Sequence, residues 1–79
     1  MTLTVRYFAS LRDQRGVSQE TLETHATSPL QLYLSLSEEH RFPLSPLQVR
    51  DVVNGSYVNP SERLHAGDEV VFIPPVAGG

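Results

Sequence analysis

The residues best suited to chemistry are the last seven, Ile73-Pro74-Pro75-Val76-Ala77-Gly78-Gly79. A Gly-Gly end carrying a carboxylate is a thread without side chains, able to enter a channel too narrow for any Cβ. The two prolines fix φ and remove two backbone donors, so a strand running into them must stop and leave extended. From Pro74 onward the chain can reach at most roughly 20 Å when extended. Terminal glycines also suit a frayed end. What favours a presented arm is the strongly apolar stretch Glu69-Val70-Val71-Phe72-Ile73 directly before the double proline. A carboxylate is a poor electrophile, so Gly79 would need activation, for which an acyl-adenylate made by another protein with ATP is the natural form. Capture by an amine would then give an isopeptide, and capture by a sulfur donor a thiocarboxylate.

Other chemistries find less support. His25, His40 and His65 lack metal-ligand spacing and fall in different elements. Glu38-Glu39 suits a solvated helix face, and Asp68-Glu69 follows a glycine where Asp is expected for the turn itself. No serine sits in a nucleophile elbow or a triad pattern. Gly55 and Gly67 are isolated turn glycines rather than a phosphate-cradling loop. The chain is therefore not expected to be a catalyst alone or to bind a cofactor, and the activating partner would be the user of ATP.

Composition narrows the classes further. The 79 residues make one small domain, 39% hydrophobic, with three Phe and three Tyr. A net charge of −3 argues against binding a nucleic-acid backbone and suits a partner with a basic surface. There is no transmembrane run and no signal-peptide pattern, so a cytoplasmic location with no membrane contact is expected. Without cysteine, the chain has no disulfide, thiolate metal site or Cys nucleophile. All six basic residues are Arg, so no ε-amine of its own could capture an activated Gly79.

The elements that would carry the tail follow from periodicity. Thr2 to Phe8 alternates, with Leu3, Val5 and Tyr7 on one face, as a half-buried strand does. Ala9 to Gly16 is expected as a polar connector anchored by Leu11, leading into a second strand over Val17 to His25 and an antiparallel hairpin. Ser28 to His40 carries leucines at every second position, but Ser28 as N-cap, Pro29 at the first helical position and Gln31 three residues after the cap predict a helix. Its inward stripe would be Leu32, Tyr33, Leu36 and His40, with Leu30 and Leu34 toward the edge. After a proline-broken loop, Leu47 to Val53 and Ser56 to Val58 flank Asn54-Gly55, the dipeptide a type I′ hairpin favours. Asn59 to Leu64 is a turn-rich crossing with room for one helical turn, and Ala66-Gly67-Asp68 turns into the last strand. Apolar on both faces, that strand belongs mid-sheet. The expected fold class is α+β, ββαβββ, one helix across a mixed sheet.

Several pieces together resemble the small, sulfur-carrier subunit of molybdopterin synthase (the MoaD family), a ubiquitin-like β-grasp protein. They are Tyr7-Phe8-Ala9-Ser10-Leu11-Arg12, Val53-Asn54-Gly55 with Tyr57-Val58, Gly67-Asp68-Glu69-Val70, and Phe72-Ile73-Pro74-Pro75-Val76-Ala77-Gly78-Gly79. The resemblance covers essentially the whole chain, and the Gly-Asp-Glu-Val and Pro-Pro-Val pieces are its most specific part. It implies a β-grasp domain over residues 1–74 and a reactive tail over 75–79. It further implies adenylation and thiocarboxylation of Gly79 by an E1-like enzyme. The tail, from Ile73 to Gly78, would then insert into the large synthase subunit within a heterotetramer. There it would deliver sulfur to cyclic pyranopterin monophosphate for molybdenum cofactor biosynthesis. Asp51-Val52 is a mild departure from the family, where an apolar or small residue is usual just before the Val-Asn, and it unsettles the register of that strand. Ile73 would either stay exposed for the partner or pack under a loop. The rival readings are a thiamine-pathway sulfur carrier, a ubiquitin-like modifier, and an interaction module with an inert tail.

Overall fold

The computed structural model describes residues 1–75. Strand β1 (Thr2–Tyr7) is followed by helix α1 (Ala9–Arg15) and strand β2 (Gln19–Glu23). Helix α2 (Pro29–His40) comes next, then a single 3-10 turn (Pro46–Gln48) and strands β3 (Arg50–Val53), β4 (Ser56–Tyr57) and β5 (Glu69–Ile73). The strands form one mixed sheet in the order β2-β1-β5-β3-β4. β1 and β5 run parallel, and the other neighbours are antiparallel. This is the α+β, ubiquitin-like β-grasp arrangement that the sequence leads one to expect, with β5 in the centre.

The expectation of one helix is corrected to two. The connector between β1 and β2 coils into α1 although its N-cap, Phe8, makes no side-chain capping bond. Its stability comes from outside. Leu11 is fully buried, Gly16 closes the helix at φ +89° by donating its N–H to the Arg12 carbonyl, and Arg15 reaches forward to Glu20 in β2. Strand boundaries also move. β2 starts at Gln19 rather than Val17, and β3 starts at Arg50 because the 3-10 turn at Pro46 takes up the preceding residues. The segment after β4 makes a turn, with Glu62 N–H bonded to the Asn59 carbonyl at 2.9 Å, and no helix.

α2 is built as its caps dictate. The Ser28 hydroxyl accepts the Gln31 N–H at 3.2 Å, and Pro29 occupies the first helical position. The Gln31 side chain turns back to Thr27, accepting from its N–H at 2.9 Å, one residue before the expected reciprocal bond. Leu32, Tyr33 and Leu36 are buried, whereas Leu30 and Leu34 are exposed, as the helical stripe requires. Together with Leu3, Val5 and Tyr7 of β1 and Val70 and Phe72 of β5 they make the core. Tyr33 meets Phe72 edge-on at 5.2 Å and Phe42 at 5.6 Å, the offset geometry that aromatic quadrupoles favour. None of the helices among the described residues is long and apolar enough to cross a membrane.

Asp51 is the one buried polar residue among those described, 7% exposed and directly opposite Phe72. The strand register is therefore sound, and the departure lies in the chemistry: a carboxylate stands on the core face. Burial raises its pKa from the ordinary 3.8 to about 6. The folded chain thus holds this proton more tightly than the unfolded one, so stability falls as pH rises between those two values and levels off above them. At neutral pH the lost stability is on the order of 1 kcal/mol once solvent screening at the partly accessible carboxyl is allowed for. Asp51→Val is accordingly expected to stabilise the chain at neutral pH. Denaturant unfolding at a series of pH values should show the gain shrinking as pH is lowered toward the acid end of that window.

Candidate functional site

The candidate site is the end of β5, so it begins with what holds that strand. Its inward residues Val70 and Phe72 are fully buried, and Val71, on the opposite face, is also buried. A strand apolar on both faces is stable only with neighbours on either side. β1 supplies one through the pairs Thr4↔Glu69 to Tyr7↔Phe72, and β3 supplies the other through Arg50↔Ile73 to Val53↔Val70.

The start of β5 is clamped from both sides. Asn54 sits at φ +50° in the β3–β4 turn, followed by Gly55 at +86°, which is the backbone a type I′ hairpin needs. Its side-chain oxygen accepts the Glu69 N–H at 2.9 Å, its amide donates to Asp68 Oδ1 at 2.9 Å, and its backbone N–H donates to the Glu69 carbonyl at 2.9 Å. The other Asp68 oxygen accepts the His65 N–H at 2.8 Å. From β1, the Thr2 carbonyl accepts the Gly67 N–H and Thr4 donates to the Asp68 carbonyl. Two motif pieces far apart in sequence, Val53-Asn54-Gly55 and Gly67-Asp68-Glu69, are thus one device that sets the direction of β5.

At the other end Ile73 makes the last sheet pair, with Arg50, and Pro74 has no N–H to continue the ladder. Pro74 is buried and Pro75 exposed, so the chain leaves the sheet between them. Ile73 lies half-buried on the face away from the core, between the two alternatives expected for it. The remaining candidates Val76, Ala77, Gly78 and Gly79 lie outside the described residues.

The sequence alone assigns no site role to two residues near this exit, Arg50 and Tyr57. Alternation puts Arg50, Val52, Tyr57, Val71 and Ile73 on the face opposite the core. The Arg50 guanidinium stacks over the Tyr57 ring at 4.8 Å, and Tyr57 is 67% exposed. The signal available was the hairpin itself: two residues past Gly55, Tyr57 must share a face with Val52.

A second polar group lies at the β1–β2 edge. The Tyr7 hydroxyl donates to Glu20 at 2.6 Å, and Arg15 grips the same carboxylate with two bonds of 2.9 and 2.8 Å. The Arg15 bonds hold the Glu20 carboxyl below the usual carboxylate range, and burial together with Glu20 pushes the Tyr7 phenol up. Every member is partnered, which suits a staple between α1 and β2 rather than a reacting centre. His25, His40 and His65 stay apart, and no group of three His, Asp or Glu among the described residues could hold a metal.

Comparison with known proteins agrees with this geometry. The sequence model of the ThiS family matches residues 5–79. No curated protein matches the chain. Among solved structures, a protein of Pyrococcus furiosus assigned as molybdopterin converting factor subunit 1 is 28% identical, with 96% of this chain and 99% of that one covered at a TM-score of 0.77. SAMP1, a small archaeal modifier protein of Haloferax volcanii, is 21% identical over the whole of both chains, with a TM-score of 0.79. A chain in the complex of subunits 1 and 2 of the molybdopterin-converting factor of Helicobacter pylori is 22% identical, again over the whole of both chains, at 0.69. The last two show shared fold alone.

The Asn54 clamp makes a direct prediction. Asn54→Ala removes two side-chain bonds and puts a Cβ-bearing residue of weak left-handed preference at positive φ, and should cost about 2 kcal/mol in denaturant unfolding. Asn54→Gly keeps the backbone conformation, so it should recover part of that loss and no more.

Proposed function

The chain belongs to the ThiS family, and from that premise we propose that it is a sulfur carrier whose working group is the carboxylate of Gly79. Residues 1–74 form the mount and 75–79 the arm. The observation that carries this reading is the placing of β5. The most buried strand of the sheet is gripped on both edges, clamped at its start and stopped at Pro74, and the family match continues from there through Gly79. A rigid base with a thin thread suits delivery of a terminal group into another protein's active site, with Ile73, Pro74 and Pro75 at the mouth and Val76, Ala77 and Gly78 inside.

In this reading an E1-like partner joins the Gly79 carboxylate to the α-phosphate of ATP, releasing pyrophosphate. A sulfur nucleophile then displaces AMP and leaves a thiocarboxylate. Docked on the large subunit of molybdopterin synthase, the tail passes that sulfur to cyclic pyranopterin monophosphate, and hydrolysis restores the carboxylate. Two such transfers build the dithiolene of the molybdenum cofactor. Similarity to the P. furiosus protein supports the molybdopterin assignment over a thiamine-pathway carrier. A heterotetramer of two small and two large subunits belongs to the same proposal. The chain itself would bind no cofactor.

Intact-mass measurement of the protein from cells tests the carrier reading. A fraction heavier by one oxygen-to-sulfur exchange is expected, and it should vanish when Gly79 is deleted or when one residue is appended after it. High-mass conjugates through Gly79 without any thiocarboxylate would instead establish the modifier, and normal function with an appended residue would refute both. Co-purification with a large synthase subunit separates the molybdopterin from the thiamine reading.

A further inference from the structure

Asn54-Gly55 gives the β3–β4 turn its positive φ angles, and the same pair is open to a slow covalent reaction of the chain with itself. In an Asn-Gly sequence no side chain shields the glycine nitrogen, so that nitrogen can attack the asparagine carboxamide carbon. The Gly55 N–H loses its proton, an N–Cγ bond forms, the Cγ–Nδ2 bond breaks and ammonia leaves. Water then opens the succinimide ring. Cleavage at Cγ gives aspartate, and cleavage at the main-chain carbonyl gives isoaspartate, with the backbone routed through the side chain. Nothing is oxidised or reduced, and water is the one co-reactant. Both residues are exposed, so water reaches them. The chain has one other asparagine, Asn59, and Pro60 behind it has no N–H to surrender.

The turn cannot readily dispense with the reactive glycine. A Cβ at Gly55 would meet nothing within 4 Å, but at φ +86° any side chain is strained. What the fold can do is restrain the carboxamide. Ring closure needs Cγ of Asn54 at the nitrogen of the next residue, whereas the carboxamide reaches across to the start of β5. Its oxygen accepts the Glu69 N–H and its nitrogen donates to Asp68 Oδ1, both at 2.9 Å. A third bond of 2.9 Å, from the Asn54 N–H to the Glu69 carbonyl, fixes the main chain beside it. The carboxamide has to release both of its partners before Cγ can turn toward Gly55.

Refolding cannot undo the reaction. In the aspartate product an oxygen replaces Nδ2, so a carboxylate oxygen faces Asp68 Oδ1 where an N–H donor stood, and like charges meet. Asp68 is not free to turn away, because its other oxygen holds the His65 N–H at 2.8 Å. In the isoaspartate product the main chain gains a methylene, and the two positive φ angles no longer describe the turn.

We propose that Asn54 is a deamidation site guarded by its own clamp: only chains in which the start of β5 has opened react, and the product keeps that end open. The inference concerns the turn and the strand it holds, and stands whatever chemistry Gly79 performs.

The test follows the full chain at neutral pH by intact mass and peptide mapping, with a blocked peptide of residues 52–57 as the unclamped reference. The expected product is heavier by the exchange of an amide NH2 for OH and carries isoaspartate at position 54, with Asn59 unchanged. Conversion in the folded chain should be at least about tenfold slower than in the peptide, since it has to pass through a local opening. Asp68→Ala, which frees Nδ2, should react several-fold faster than the parent chain. Denaturant unfolding of Asn54→Asp should give a lower midpoint than the parent at neutral pH, and the gap should narrow in acid, where the facing carboxylates no longer both ionise. Three results would overturn the proposal. They are equal rates in the folded chain and the peptide, slower reaction in Asp68→Ala (the carboxylate then assisting rather than guarding), and an Asn54→Asp midpoint equal to the parent's.

Discussion

The parallel ladder between β1 and β5 is the interaction on which the other elements depend. It sets Val5 beside Val70 and Tyr7 beside Phe72 on the face that α2 covers, and Arg6 beside Val71 on the other. Parallel neighbours cannot be joined by a tight turn, so all of the chain between them serves as the crossover. α2 has to lie over β1 and β5 because that is where the buried side chains of the sheet are concentrated. β3 then occupies the remaining edge of β5, and β4 adds only two residues beyond it. Without the ladder, Phe72 would lose its partner strand and the aromatic contact with Tyr33, and Pro74 would have no fixed origin.

The parts of this fold legible in the sequence are those governed by local chemistry. Ser28-Pro29 starts a helix because the cap and the proline act within one turn, and that outweighed the alternating leucines. Asn54-Gly55 makes the hairpin because both residues accept positive φ. α1 was hidden for the opposite reason. Ala9–Arg15 has no capping side chain and one apolar anchor, and the groups that hold it, the pocket for Leu11 and the Glu20 carboxylate, arrive from elsewhere in the fold. The late start of β3 has a similar cause, since Leu47 looks like a strand residue until Pro46 turns the chain and leaves it almost wholly exposed.

The candidate site divides along the same line. A proline stops a ladder wherever it occurs, so the end of β5 before Pro74 could be read directly. The approach to it could not, because Tyr57, Arg50 and Val52 share a face only once the register of β3, β4 and β5 is known. Asp51 illustrates the difference most clearly. In the sequence it disturbed a pattern and suggested a slipped register, whereas in the structure the register is regular and the acid itself stands against the core.

The Thr4↔Glu69 pairing also bears on how the molecule comes into being. Closing nearly the full length of a chain into one ladder carries the largest loop entropy the fold has to overcome, so this pairing forms late compared with the local α2 and the β3–β4 hairpin. β5 is the last of the described elements in chain order, and until it inserts, β1 and β3 have no strand to join them. The exit at Pro74 therefore acquires a direction only in a completed molecule. A partially folded chain has the same residues after Ile73 but no completed sheet to fix where they leave it.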